Sequence, residues 1–549
     1  MSKHSKEQYY NKLDLEEMEL NSQARERAKK EARHRVERRG AKSSSILRMI
    51  LVGIVVLIQL AVIIALTLYV SGAFSIIHTL AGIVGVFVVL FLFGREWNQA
   101  FKLPWIMFIL VTPVVGMLLY VMLGRRGTAG RRKKAKYAKI RAKILPNYCN
   151  HDEMVSEYKP VDPELYHQLY YLNKTGGYPA YRNTDVTYYA EGKDGLAAQI
   201  EAMKKAEKFI LFEYHAIENS EAFEEIKKIM FEKVKQGVEV RVFYDDMGSI
   251  GFLNRKFRKE MRSNSVQCRV FNPLTPLMVF FMNNRDHRKI TVIDGKVGFT
   301  GGYNMADEYF DITHPYGEWK DTGIKLEGEA VNSLSLIFLE NWNGIKDTDS
   351  EEDIKKFLYD YSSYKAKEPK GVILPYADGP IDNEPLAETA YMNMLRDSKH
   401  YAYISTPYLL LTDEMTREMV DAAKRGVDVR IVIPGIPDKK MVYKMSRSYI
   451  MTLAKGGVKV YEYKPGFVHA KMCLVDDHMA IVGTINFDYR SLYHHFENGC
   501  LFSGYECLPK IREDFEAMFE KSRYVSDRHA EKKHLTFFET VLRLFSPLM

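Results

Sequence analysis

An octet that occurs twice with its flanks in register constrains this chain more than any other feature. His287-Arg288-Lys289-Ile290-Thr291-Val292-Ile293-Asp294 is followed by Gly301-Gly302-Tyr303-Asn304. His469-Ala470-Lys471-Met472-Cys473-Leu474-Val475-Asp476 is followed by Gly483-Thr484-Ile485-Asn486. In both copies the asparagine comes 17 positions after the histidine. One His-x-Lys says little, but two such constellations in register require a duplicated unit. A second echo lies upstream, where 235–242 (Lys-Gln-Gly-Val-Glu-Val-Arg-Val) matches 424–431 (Lys-Arg-Gly-Val-Asp-Val-Arg-Ile). In each, a charged helix ends at glycine, where a left-handed cap is easiest, and an alternating strand follows. Strand-like runs at 209–212 and 401–404 precede the two echoes. The pattern predicts an α/β fold of two pseudo-twofold-related halves, 186–346 and 381–530, with the Lys-rich stretch 347–380 as linker.

The residue types suit a phosphodiester. Residues two apart on a strand share a face, so His287 points with Lys289 and His469 with Lys471. Ile290, Val292 and Ile293, like Met472, Leu474 and Val475, suit strands buried on both faces. The small pairs Gly301-Gly302 and Gly483-Thr484 let backbone approach a phosphate closely. Asn304 and Asn486 can donate to phosphate oxygens, and the two lysines can neutralise charge developing in the transition state. One neutral imidazole can attack phosphorus while the other, protonated, delivers a proton to the leaving alkoxide. Each ring needs a carboxylate to set its tautomer, and Asp321 and Glu497 follow the two motifs as candidates, with nothing in the sequence to say which serves which. Asp294 and Asp476 complete the motifs and enter the catalytic set with them. Each also opens a tight Asp-Gly or Asp-Asp turn, which makes it mainly architectural. No acidic cluster has metal-ligand spacing, and Asp245-Asp246 reads as a strand-end turn, so neither metal nor cofactor is expected.

The front of the chain is different. Residues 1–44 form a polar, basic tail without enough apolar side chains for a core. In 45–125, apolar runs at about 46–70, 74–94 and 103–124 each have the length of a transmembrane helix. The first lies too far in, and is too long, for a cleaved signal. A basic block follows within the juxtamembrane segment 126–185: Arg125, Arg126, Arg131, Arg132, Lys133, Lys134, Lys136, Lys139, Arg141 and Lys143. Such a block marks a cytoplasmic flank and attracts anionic lipid. Basic flanks on both sides favour an even number of crossings against three candidate runs. Two or three spans are therefore expected: either one run is re-entrant or interfacial, or one basic flank is translocated. Five scattered cysteines, an odd number without Cys-x-x-Cys spacing, predict reduced thiols. Residues 276–282, Pro-Leu-Met-Val-Phe-Phe-Met, offer an acyl access path before His287. The C-terminal segment 531–549 carries Phe537, Phe538, Val541, Leu542, Leu544 and Phe545, which suit either an interfacial helix or packing on the body.

The paired motifs resemble the two HKD motifs of the phospholipase D superfamily, and residues from about 75 to 549 resemble bacterial cardiolipin synthases. Similar features include Pro104-Trp105 through Tyr120 with Gly124-Arg125, Phe271-Asn272-Pro273-Leu274, Trp319-x-Asp321-Thr322, Thr406-Pro407-Tyr408 and the ending Arg543-Leu544-Phe545-Ser546-Pro547-Leu548. The tail and first apolar run look like an extension. The resemblance implies phosphatidyl transfer between two phosphatidylglycerol molecules through a phosphohistidine-type intermediate, with no metal. It also implies a multi-pass cell-membrane enzyme, its catalytic body on the cytoplasmic side, acting on anionic phospholipid and not on nucleic acid. A phospholipase D using water, or another phosphatidyltransferase, shares the motifs. A nuclease of the same superfamily needs a basic, aromatic-studded surface near them, whereas here the basic block adjoins the apolar region.

Overall fold

The computed structural model describes scattered residues between 50 and 65, then 75–124, 131–149, 151–273 and 284–548. Two mixed sheets carry the fold. The first has the order β1-β8-β6-β5-β2-β3-β4 and the second β9-β16-β15-β14-β10-β11-β12-β17 when read from the matching edge. The strands of the first are β1 (Thr184–Tyr189), β2 (Phe209–Tyr214), β3 (Glu239–Asp245), β4 (Gln267–Phe271), β5 (Lys289–Ile293), β6 (Val297–Gly301) and β8 (Gly323–Gly328). Those of the second are β9 (Val372–Asp378), β10 (Tyr401–Ser405), β11 (Asp428–Pro434), β12 (Lys459–Tyr463), β14 (Met472–Val475), β15 (Met479–Gly483), β16 (Glu497–Ser503) and β17 (Ser522–Tyr524). Position by position the two orders coincide, with β17 added at one edge. Directions coincide too: β2, β3 and β4 are parallel, as are β10, β11 and β12, and β5 and β14 run antiparallel to β2 and β10. The duplicated sequence is thus a duplicated sheet.

The halves are locked rather than tethered. Short strands β7 (Glu318–Lys320) and β13 (Gly466–Val468), one from each half, pair in parallel. One apolar core runs through both halves, from Leu326 and Trp342 to Ile404 and Leu474, and a second fills the other face of the first sheet. The stretch 347–380 is more than a linker, because β9 within it pairs along β16. Pro375 disguises that strand, since proline is tolerated in sheets chiefly at edges. All five cysteines are free, and four are buried.

The apolar region departs from three spans. Most of the first run lies outside the described residues. The second forms α1 (Ser75–Phe93), whereas the third is broken into α2 (Gln99–Val111) and α3 (Pro113–Leu123). Among the described residues no helix is long and apolar enough to cross a membrane. The break has a local cause. Pro113 opens α3, and the residue before a proline is driven out of the helical region, as Thr112 is, at φ −135° and ψ 76°. The two helices then fold back on each other at Gly116, where a β-carbon would lie 2.6 Å from Ile109 Cα. At 13 and 11 residues they reach about 20 and 17 Å, short of the roughly 30 Å hydrocarbon core. Phe101 docks this hairpin on the second half, its ring 5.6 and 5.2 Å from those of Tyr489 and Tyr493.

The basic block is partly structural. It forms α4 (Arg131–Ile144), and Tyr137 on that helix donates a hydrogen bond to Asn341 Oδ1 at 3.1 Å. Lys136 bonds the Ile345 carbonyl at 2.8 Å, Lys143 pairs with Asp347 at 2.7 Å, and Lys133 lies 4.8 Å over the Phe271 ring. Arg125 and Arg126 lie outside the described residues.

Candidate active site

Both histidines sit immediately before their strands, and each is completed by the opposite half. The His287 amide donates to the Phe496 carbonyl at 2.8 Å, and the Phe496 amide to the Arg285 carbonyl at 2.8 Å. In the other motif the His469 amide donates to the Lys320 carbonyl at 2.7 Å. These bridges bring carboxylates across: His287 Nδ1 lies 2.9 Å from both oxygens of Glu497, bonded to Oε2, and His469 Nδ1 lies 2.7 Å from Asp321 Oδ2. A carboxylate accepts, so each Nδ1 carries the proton and each Nε2 keeps its lone pair. Lys289 and Lys471 fold back onto the carbonyls of His287 and His469. Each lysine feels both carboxylates and each histidine feels both lysines, so the two motifs build one site.

Burial dominates the electrostatics. It pushes both imidazoles well below the usual histidine range, and the two ammonium groups push them further. Burial also brings Lys289 down to about 8 and lowers Lys471 strongly. It raises Asp321 to about 6, against the pull of Lys471, so this carboxylate stays ionised at neutral pH. Both imidazoles are therefore neutral at pH 7. An anion seated beside them would favour protonation of one.

The surroundings of the two rings differ. His287 lies between two imidazoles, His215 at 4.9 Å and His495 at 5.4 Å between ring centroids. His469 stands among Tyr309 at 5.2 Å, Trp319 at 5.4 Å and Phe467 at 6.0 Å. The carboxylates are held differently as well. Asp321 Oδ1 accepts from the Thr322 amide at 2.9 Å, and it crowds Gly302, where a β-carbon would lie 2.0 Å away. The matching position in the second motif is Thr484, whose hydroxyl donates to Glu497 Oε2 at 2.5 Å. The small pairs thus admit carboxylates, a use that sequence reasoning assigned to phosphate.

Asp294 and Asp476 are not brought to the histidines. Each sits past the far end of its strand, at positive φ of 55° and 53°. Asp294 accepts from the amides of Glu207, Lys208 and Phe209 at 2.8, 2.7 and 2.9 Å, and Asp476 from those of Lys399, His400 and Tyr401 at 2.7, 2.9 and 2.7 Å. They pin β2 and β10 to the motif strands. Asn304 donates to the Tyr309 hydroxyl at 2.8 Å and accepts from the Ala216 amide at 3.1 Å, while Asn486 Oδ1 is buried without a partner. The access segment 276–282 lies outside the described residues.

Sequence reasoning missed His215, Tyr309 and His495. Only His495 carries a signal, two places before Glu497. With Glu497 and His287 it also forms the one group among the described residues whose ligand atoms all lie within 4.8 Å, a set that chain spacing hides. The set does not fit a resident divalent ion. Glu497 Oε2 is already engaged by His287 and Thr484, and the Lys289 and Lys471 ammonium groups act on the same ring, where they would repel a cation.

Residues 199–317 and 391–519 match the family model described as "Cardiolipin synthase, PLD-like domain", and 81–125 match "Phospholipase D-nuclease N-terminal". A protein of Streptococcus mutans named only as uncharacterized is 38% identical, over 84% of this chain and 99% of its own length. Proteins named cardiolipin synthase in Alkalihalophilus pseudofirmus and Halalkalibacterium halodurans are 32% and 31% identical. They cover 87% and 88% of this chain and 94% and 95% of themselves. The solved phosphatidylserine synthase of Haemophilus influenzae shares the fold at a TM-score of 0.50 and 16% identity, over 66% of this chain and 93% of that one. Fold and family together define a phosphatidyltransferase of the phospholipase D-like class. Within that class, the chain belongs to the cardiolipin synthase family.

Proposed function

We propose that this enzyme joins two phosphatidylglycerol molecules into cardiolipin and glycerol through a phosphatidyl-histidine. The observation that carries the reading is the pair of imidazoles, each held by a carboxylate of the opposite half and flanked by both lysines. His287 Nε2 attacks phosphorus, the bond to the headgroup oxygen breaks, and His469 supplies the proton that releases glycerol. The headgroup hydroxyl of a second lipid then forms the new P–O bond. Its proton passes to His469, and the P–N electron pair returns to His287. Family pattern favours the N-terminal motif as nucleophile. The rings around His469 add a local reason, since aromatic faces stabilise an imidazolium. Lys289 and Lys471 neutralise the phosphate, Asp321 and Glu497 hold the tautomers, and Asn304 and Asn486 support the phosphate loops. Asp294 and Asp476 act through the backbone.

The apolar region seats the enzyme at a membrane, with the catalytic body on the cytoplasmic side. Phe87 and Leu90 on α1 and Leu110, Val111 and Val121 on the hairpin are all more than half exposed among the described residues, a large apolar surface that basic α4 follows in the chain. The experiment is to incubate the full chain in vesicles with headgroup-labelled phosphatidylglycerol. Cardiolipin and free glycerol in equal amounts are expected. Phosphatidic acid as the sole lipid product would make the enzyme a hydrolase instead.

A further inference from the structure

The polar atoms beside His287 are not all accounted for by the chemistry above. Both ring nitrogens of His495 are buried without a hydrogen-bond partner. The nearest acceptor, Glu497 Oε1, stands 3.5 Å from Nδ1, a long contact that leaves Nε2 with no partner at all. Asn486 Oδ1, three residues past β15 in the same half, is equally unpartnered. Buried polar groups are almost always satisfied, so orphans gathered at a reaction centre point to a ligand. His215, on the other flank of the same ring, is no rival, because its Nδ1 already bonds the Asp286 carbonyl at 2.6 Å.

The position of His495 is held by backbone. Its amide donates to the Arg490 carbonyl at 2.8 Å, and the next residue is clamped to Arg285 of the other half. Burial lowers its pKa well below the ordinary histidine value; the Glu497 carboxylate beside it opposes this, and Arg490 and His287 reinforce it. A neutral imidazole offers one donor and one acceptor, which matches a hydroxyl. The two lysines already supply the charge an anionic oxygen needs, so His495 is free for another class of group.

We propose that His495 is a specificity-determining residue that binds a non-reacting hydroxyl of the lipid headgroup, so that the site takes a glycerol headgroup in preference to a simple alcohol. This rests on the phosphatidyl-transfer reading and adds the recognition of the acceptor. In that step the reacting hydroxyl oxygen bonds phosphorus, its proton goes to His469 and the P–Nε2 bond breaks. His495 holds the neighbouring hydroxyl and takes part in none of these bonds.

The test uses the full chain in detergent micelles with a phosphatidyl-p-nitrophenol donor. Release of nitrophenol measures formation of the histidine adduct, and glycerol and ethanol compete for it at equal concentration. In His495→Leu, nitrophenol release should stay within about threefold, while the glycerol-to-ethanol product ratio falls about tenfold, the worth of one hydrogen bond. His495→Gln keeps a donor and an acceptor and should retain most of the preference. An unchanged ratio in the leucine variant overturns the proposal, as does a parallel fall in adduct formation and both products. An unmodified enzyme that makes no cardiolipin but prefers glycerol in a His495-dependent way would remove the synthase reading and leave this inference standing.

Discussion

His287 and His469 occupy matching places in matching sheets, yet one lies between imidazoles and the other among aromatic rings. The carboxylate behind His287 is braced by the Thr484 hydroxyl, and the one behind His469 crowds a glycine. Duplication supplies two like imidazoles, and the proposed reaction needs one nucleophile and one acid. The difference in surroundings comes from loops outside the repeated octet, at Tyr309, Trp319, Thr484 and His495. A duplicated fold can therefore keep its strands symmetric while its flanks divide the labour.

The largest effects should come from the rings themselves. His287→Ala and His469→Ala should each lower cardiolipin formation by at least the roughly 10²–10⁴-fold of a missing acid–base group. With a nitrophenyl donor, whose leaving group needs little protonation, the His469 variant should still form the acid-labile adduct and the His287 variant should not. Mapping the adduct to His469 by mass spectrometry would reverse the assigned roles. Next come the orienting carboxylates. Asp321→Asn and Glu497→Gln should each cost about 10²-fold in kcat, because an amide accepts less strongly and can impose the wrong tautomer. The two variants should differ in their pH profiles, and identical profiles would argue that the two pairs are equivalent after all.

A smaller effect separates the lysines from the histidines. Lys289 is brought down to about 8 from its usual 10.5, so its charge is present at pH 7 and is lost as pH rises through 8. The free-enzyme profile, kcat/KM, should fall on the alkaline side near that pH. The kcat profile should fall at higher pH, because bound phosphate stabilises the ammonium. Residual activity of Lys289→Arg should lack the limb, and its persistence there would assign it elsewhere. The smallest effect concerns Thr484. Its conversion to valine removes one bond to a buried carboxylate, worth about 1–3 kcal/mol, and should slow adduct formation on His287 by roughly tenfold. The matching Gly302→Ala change on the His469 side should instead displace the Asp321 carboxylate, lowering both activity and the melting temperature.

The duplicated unit, the α/β class and the twin His-Lys constellations were legible because they depend on spacing along the chain. A strand period of two decides which residues share a face, and an in-register repeat decides that there are two halves. The carboxylates Asp321 and Glu497 were legible as types but not as partners. The hairpin break at Thr112 was visible only as Pro113 within an apolar run, where a span was the simpler expectation. The crossed pairing of His287 with Glu497 and of His469 with Asp321 belongs to the tertiary structure alone. It arises from backbone bridges at Phe496 and Lys320 between segments about 210 and 150 positions apart. Local propensity cannot encode such contacts, because they form only when both sheets are built and one core closes across them. The gathering of His215 and His495 around one motif, and of Tyr309, Trp319 and Phe467 around the other, has the same origin. A sequence names the groups that can do the chemistry, and burial at an interface between halves decides what each one does.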